Sequence, residues 1–570
     1  MLHEGIPPTL AGACATSEGD IGAGVIDQGG RLTSNLVTIE WCRMKLKTAF
    51  LAIIVLLAGA IEPAGAKTLR LAHVGDLTSL DPYTLNETLA LSLLGNVYEG
   101  LVSRDDDLKI VPGLAESWET LDPLKWRFHL RKGVTFHNGE AFSADDVIFS
   151  LQRMRTPGSQ IKSRAPADMT AVKIDDYTVD FVLTKPNPVL HGEWNSWYIV
   201  SKSWSEANGA TLAQPVNATS LGAFALKANG TGPFKIAKHE PGVRTLFVPN
   251  PRYWGKIAHN LDEVEFATIR SDATRTAALL SGEVDFIEPV SIQDQERLAA
   301  SGQVNVLTGP ELRTIFLTMD SLRDELLYSS VKGKNPFKDV RVRKAFYQAV
   351  DIEAIKTKLM HGQSTPTALL IAPSLFSRAG QFHRWPYDVT AAKKLMAEAG
   401  YADGFDLTMD CPNDRYINDA AICQAVAAML SRINVKVALQ AMPKAKYFEK
   451  ISPPKYDTSF GMLGWTPSGL DSLSVLTTIV GCRDTVGSGA SFNVGGYCNP
   501  EVSALTEKVR VEADRERRDD YIAEAYRIVH EDVGVLPLHQ QALSWGVSKR
   551  VHLTQRPDDY VAFKAITKDD

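Results

Sequence analysis

The 570-residue sequence has little cysteine, no large excess of either charge, and no hydrophobic run long enough to span a membrane. Six cysteines in a chain of this size exclude a small disulfide-framework protein. With 61 Lys+Arg against 67 Asp+Glu and a formal charge of -6, there is no basic field of the kind a dedicated nucleic-acid binder needs. A membrane helix takes about 20 consecutive apolar residues, and every apolar run here falls short of that. What is present is ordinary globular composition, 44% hydrophobic and 22% charged, which excludes a wholly disordered chain. At roughly 150 residues per domain the length predicts three or four domains.

Catalytic signatures are also missing. Gly-x-x-x-x-Gly-Lys-Ser/Thr, Gly-x-Ser-x-Gly and His-Glu-x-x-His do not occur. His530-Glu531-Asp532 lacks a second histidine at helical spacing, and His137-Asn138-Gly139-Glu140 reads as an Asn-Gly turn rather than a metal site. Asp105, Asp106 and Asp107 read as a polar turn, and the twelve histidines are dispersed. No nucleophile, metal or cofactor is nominated.

The N-terminus carries an address. Lys45 and Lys47 precede AFLAIIVLLAGA at 49–60, followed by Ala64-Gly65-Ala66. A basic region, a short apolar region and an A-x-A site make a secretory signal peptide, with cleavage expected after Ala66. The competing reading is a short membrane anchor. Residues 1–43 are Gly-rich and weakly patterned, and Met44 is the expected true start, so 44–66 is the signal segment. No cysteine follows the apolar region to take a lipid, so the product is expected to be soluble outside the cytoplasm.

Removing that segment takes Cys14 and Cys42 with it. Cys411, Cys423, Cys482 and Cys498 remain as two close pairs. In an oxidising compartment the natural expectation is bridges Cys411–Cys423 and Cys482–Cys498. Sequence alone leaves three connectivities, and a four-cysteine metal site lacks C-x-x-C spacing.

Strands and helices alternate along the rest. Trp126, Phe128 and Leu130 alternate with polar residues as in a half-buried strand, and 172–183 reads as a hairpin around Asp175-Asp176. Further strands are expected at 234–237, 245–248, 263–268, 435–439 and 535–538. Ser143 with Asp146 resembles a capping box, Asp351 a helix cap, and Gly400 a helix stop. Helices are also expected at 417–430 and near 500–511 and 516–531. The class is mixed α/β.

Residues 112–152, PGLAESWETLDPLKWRFHLRKGVTFHNGEAFSADDVIFSLQ, closely resemble the signature segment of the extracellular solute-binding proteins of family 5. SLDPY (79–83), NVYEGL (96–101), TGPFKI (231–236), NPRYWG (250–255), ALLSGEVDF (278–286), NPFKDVRVRKAFYQAVD (335–351), AKKLMAEAGY (392–401) and VLPLH (535–539) follow in the family's order. The resemblance covers essentially all of 67–560. It implies a two-lobed clamshell with an extra subdomain: lobe I from 67–109, 225–315 and 541–570, the subdomain from 110–224, and lobe II from 316–540. It also implies a non-enzymatic periplasmic receptor without a cofactor. That receptor is expected to be monomeric, to close on a short peptide or other small solute, and to deliver it to the permease and ATPase of an ABC importer.

Family members that bind dipeptides hold the ammonium with a carboxylate and the carboxylate with an arginine. The resemblance carries these roles onto Asp471 and Arg415, and a planar guanidinium suits a carboxylate because it can donate two parallel hydrogen bonds. Here the sequence departs from the usual form, in which Asp-Pro follows the Gly-Trp; Asp471 is followed by Ser472. The structural alternative for both residues is an ordinary ion pair. Trp465, Tyr83, Trp197 and Tyr198 are candidates for the cleft wall, with core packing as their alternative. The bridges would clamp the segments beside Arg415 and Asp471. A receptor for a nickel chelate, opine or oligosaccharide is the alternative within the family, and a secreted hydrolase is the alternative outside it.

Overall fold

The computed structural model describes residues 66–570 except 216, 217, 219, 484–489 and 491. The expected start at Met44 and the basic and apolar parts of the signal segment lie outside the described residues.

The strand Thr68–His73 pairs in parallel with both Glu263–Thr268 and Phe286–Glu288. Its alternation places Leu69 and Leu71 in the core. This sheet grows outward through Arg244–Pro249 to Phe234–Glu240. A second parallel set, Val435–Met442, Phe405–Pro412 and Phe460–Trp465, belongs to the other end of the same eleven-stranded sheet. Two long antiparallel strands, Val304–Met319 and Leu536–Ser548, join the two ends. Each half packs its own apolar cluster. One gathers Leu71, Phe128, Trp194, Phe266, Trp545 and Phe563; the other gathers Leu317, Phe346, Met409, Phe460 and Leu538. The result is a two-lobed α/β clamshell whose crossing strands form the hinge.

The signature segment supplies the first two strands of a separate four-stranded antiparallel sheet in the order Ala115–Asp122, Lys125–Leu130, Thr178–Val182, Thr170–Asp175. Trp126, Phe128 and Leu130 are buried along one face, and Phe128 meets Phe181 edge-on. Ser143 and Asp146 complete the capping box of helix Ala144–Met154. Asn138-Gly139 forms the expected turn, with Gly139 at φ +96°.

Helices Asp419–Leu430, Pro500–Val511 and Arg515–Glu531 lie where the pattern places them. Asp351 caps a helix that is α only over Ile352–Ala354 and then widens to a π turn over Ile355–Leu359. The hinge differs most from expectation. Residues 304–319 carried no strand expectation, and 535–538 is only the start of a thirteen-residue strand. Both strands are buried on both faces at the crossing, so the period-two signal is absent, and Pro310, Glu311 and Arg313 break the apolar run.

Cys411–Cys423 and Cys482–Cys498 are both bridged.

Candidate functional site

Where the hinge strands cross, their pairing slips. Pro310 stands opposite Ala542, but Thr314 stands opposite Gln540, so the first strand accommodates two extra residues between these points. A bulge of this kind re-aims side chains. Here Glu311 and Arg313 join the wall of a cavity of about 500 Å³ between the lobes. That volume falls within the roughly 300–1,000 Å³ of small-molecule sites.

Lobe II contributes the loop 413–418, which is pinned at several points. Asn413 N–H donates to Met442 O at 3.1 Å, and Asp414 Oδ1 accepts from Lys444 N–H at 2.6 Å. Asp419 Oδ2 accepts from the backbone of both Arg415 and Tyr416 at 3.0 Å, and Gln541 Oε1 accepts from Ile417 N–H at 3.2 Å. Tyr416 is buried, and its hydroxyl accepts from Gly464 N–H at 2.9 Å. A Cβ at Gly464 would lie 2.7 Å from the Tyr416 ring, so the close approach requires glycine there. Cys411–Cys423 closes the same stretch covalently.

This scaffold presents Arg415 at the cavity wall, half-buried. Its guanidinium lies over the Tyr416 ring at 5.2 Å and makes no hydrogen bond or ion pair among the described residues. Glu87 and Lys444 form an ion pair of 2.9 Å from opposite lobes. Burial alone would raise the Glu87 carboxyl, but Arg415 and Lys444 hold it below the ordinary glutamate value.

The hinge side is acidic. Glu311 is 1% exposed; its Oε2 accepts from Gln541 Nε2 at 2.7 Å, and its Oε1 lies 2.7 Å from Arg313 Nη1. Arg313 Nη2 in turn donates to Thr88 Oγ1 at 3.2 Å. These contacts link the loop of Ile417 through Gln541, Glu311 and Arg313 to Thr88 in lobe I. Burial raises Glu311 to about 7 despite Arg313. Burial, then the neighbouring Asp559 carboxyl, pushes Glu288 well above its ordinary value. His73 is held down to about 3, chiefly by burial and then by Arg275, and is neutral; its Nδ1 accepts from Gly75 N–H at 2.6 Å.

Of the six residues proposed for the ligand from sequence, Arg415 lines this cavity and the other five lie elsewhere. Tyr83 and Trp197 are 0% exposed and Tyr198 is 2% exposed, all within the lobe I core. The Tyr83 hydroxyl donates to Tyr198 O at 2.7 Å, which occupies its polar end inside the core. Trp465 turns to Phe492 and donates from Nε1 to Ser474 Oγ at 3.3 Å. Asp471 caps helix Ser472–Thr478 and pairs with Arg518. The sequence reading missed Glu87, Glu288, Glu311, Arg313, Lys444 and Asp559. Glu311 and Arg313 offered one legible signal, a charge pair inside an otherwise apolar stretch.

Among the described residues, no group of three or more His, Cys, Asp and Glu side chains could hold a metal ion, and no helix is long and apolar enough to cross a membrane.

Comparison with known proteins accords with the two-lobed fold. Residues 109–487 match the bacterial extracellular solute-binding proteins, family 5 Middle. The chain is 25% identical over 501 residues to the glutathione-binding protein GsiB of Pectobacterium atrosepticum, covering 85% of this chain and 91% of that protein. It is 27% identical over 504 residues to heme-binding protein A of Haemophilus influenzae, covering 83% and 87%. The periplasmic binding protein DppA from Helicobacter pylori, solved with the peptide STSA, superposes with a TM-score of 0.75 at 23% identity, covering 88% of this chain and 98% of that one. The chain belongs to the bacterial extracellular solute-binding proteins of family 5. This is a family of transporter binding components rather than enzymes.

Proposed function

We propose that this chain is the periplasmic receptor of an ABC importer, capturing a short peptide or peptide-like solute between its lobes and delivering it to the membrane permease and ATPase. Export would follow cleavage after Ala66. The lobe boundaries at 315/316 and 540/541 would fall inside the two hinge strands, so closure would bend a paired ribbon rather than a free linker. The observation that carries the reading is Arg415: a guanidinium with no ion-pair partner among the described residues, held by a bridged and hydrogen-bonded loop in the wall of the interlobe cavity. A preordered arginine fork suits a ligand carboxylate and lowers the ordering cost of binding.

Thermal unfolding against a panel of di- and tripeptides, sugars and metal chelates tests this. A true ligand at a hundred times its dissociation constant adds about 2.7 kcal/mol of stability. Stabilisation by peptides without turnover supports the reading. Stabilisation only by sugars or chelates contradicts it in favour of another ligand class.

A further inference from the structure

Strand Thr68–His73 starts one residue after Lys67, and the loop 259–262 holds that start from two sides. Lys67 N–H donates to Asp262 Oδ2 at 2.8 Å, and Asp262 N–H donates back to Lys67 O at 3.0 Å. On the same loop Asn260 Nδ2 donates to Lys568 O, and Asn260 Oδ1 accepts from Lys568 N–H, each at 2.9 Å. Lys568 Nζ in turn donates to Thr68 O at 2.6 Å. The backbone nitrogen of Lys67 is thereby fixed against a carboxylate.

Among the described residues no side chain forms an ion pair with Asp262, because the cations at this strand end are engaged elsewhere. Lys67 Nζ lies 2.8 Å from Asp570 Oδ1, Lys568 Nζ lies 2.9 Å from Asp285 Oδ2, and Arg70 Nη2 lies 3.0 Å from Asp285 Oδ1. His259 Nδ1 accepts from Leu261 N–H at 3.2 Å. Lys564 meets the loop through its carbonyl, which accepts from Ala258 and His259 N–H at 3.0 and 3.1 Å. Glu263, the next residue, adds a second acid rather than a counter-ion.

We propose that Asp262 is the receiving site for the α-ammonium that signal processing creates at Lys67, an ion pair that only the processed chain can make. The inference rests on reading 44–66 as a cleaved signal segment. A signal peptidase adds water across the Ala66–Lys67 peptide bond. The C–N bond breaks, Ala66 leaves as a carboxylate, and the Lys67 nitrogen takes up a proton, so a neutral amide with one N–H becomes an ammonium with three. The contact with Asp262 Oδ2 is already in place and becomes charge-assisted. Cleavage gives up the bond from Thr68 N–H to Ala66 O at 2.9 Å, at an exposed residue where water takes the acceptor's place.

The test begins with N-terminal sequencing of the chain exported by its own signal segment, which is expected to read Lys67 first. Carbon-13 methylation of the amino groups then lets NMR follow the α-amino group through a pH titration, beside a form that retains Gly65 and Ala66. Exposed pairs are weak, so with Lys67 first the α-amino group should titrate about half a unit above its ordinary range of about 7.7–8.0, a bias of about threefold toward the charged form. The form that starts at Gly65 should titrate in the ordinary range, and Asp262→Asn should return the Lys67 form to it. A group that holds its proton more tightly when folded adds stability that is full below its unfolded value, about 7.7, and is lost as pH rises past its folded value. The Lys67 form should therefore melt above the Gly65 form at pH 7 and level with it at pH 10, a comparison that needs no substitution. An ordinary α-amino group with Lys67 first, or a raised one that survives Asp262→Asn, overturns the site and leaves the signal and receptor readings intact. A first residue other than Lys67 overturns the cleavage reading and the site with it.

Discussion

Arg518 grips Asp471 with two parallel hydrogen bonds, Nη1 to Oδ2 at 2.8 Å and Nη2 to Oδ1 at 2.7 Å. Arg518 is 8% exposed, and Asp471 Oδ1 also accepts from Leu473 N–H at 2.8 Å. The carboxylate is therefore a helix cap and a counter-ion at once. Asp471→Ala should lose the cap, worth about 1 kcal/mol, and strand a largely buried guanidinium, for a total of about 3–5 kcal/mol. Thermal unfolding should report that loss, while calorimetry on the folded variant shows unchanged ligand affinity. Unchanged stability with lost affinity would return Asp471 to the ligand site.

The interlobe pair Glu87–Lys444 is partly exposed on both sides, at 24% and 31%. Such pairs are worth about 0.2–1 kcal/mol and are screened by salt. Lys444→Ala should weaken ligand binding by about two- to fivefold at low salt, with the difference shrinking as salt rises. Calorimetry at two ionic strengths checks this; a salt-independent loss would mean that Lys444 contacts the ligand directly.

Cys411 and Cys423 are separated by 12 residues, and the loop between them carries Arg415. Closing a loop of this size stabilises by about 3 kcal/mol in the chain-entropy model. Replacing both cysteines with alanine should lower denaturant stability by that order. It should also weaken ligand binding, because the Arg415 loop must then be ordered on capture. Lower stability with unchanged affinity would show that the bridge serves the fold alone.

His539 lies 0% exposed in the second hinge strand, with neither ring nitrogen hydrogen-bonded among the described residues. Burial, followed by Arg384, holds it down to about 3. The unfolded chain therefore binds a proton that the folded chain refuses. This contribution to stability is full above pH 6.5 and falls as pH drops toward 3. Glu288 and Glu311, raised by burial, act in the opposite direction, so the sensitive quantity is a difference between variants. His539→Leu should match or exceed wild-type stability at pH 7.5 and gain on it by about 2 kcal/mol at pH 5. Parallel denaturant curves at both pH values would contradict this account of His539.

What could be read from the sequence follows from which signals are local. The capping box at Ser143, the alternation of Trp126, Phe128 and Leu130, and the helix expected at 417–430 are written in adjacent residues, and the fold bears them out, with that helix running Asp419–Leu430. The ordered motifs brought the two-lobed class with them. The hinge was not legible, because strands buried on both faces lose their period of two. At the cavity wall the sequence named Arg415, and the charge pair Glu311 and Arg313 was a further signal it offered. Glu87, Glu288, Arg313, Lys444 and Asp559, among its other charged residues, come together from five distant segments through a crossover and a bulge. Tyr83, Trp197 and Tyr198 have the amphipathic character of cleft residues, but all three are buried in the lobe I core, where the two tyrosine hydroxyls donate to backbone carbonyls.

The most direct measurement titrates one short peptide, with a free and with an amidated carboxyl terminus, into wild type and Arg415→Ala. If Arg415 holds the ligand carboxylate, amidation and the substitution each weaken binding by about ten- to a hundredfold, and the two together cost little more than either alone. If Arg415→Ala binds the free-carboxylate peptide as tightly as wild type, or if the two losses simply add, Arg415 does not hold that carboxylate and the proposed site is wrong.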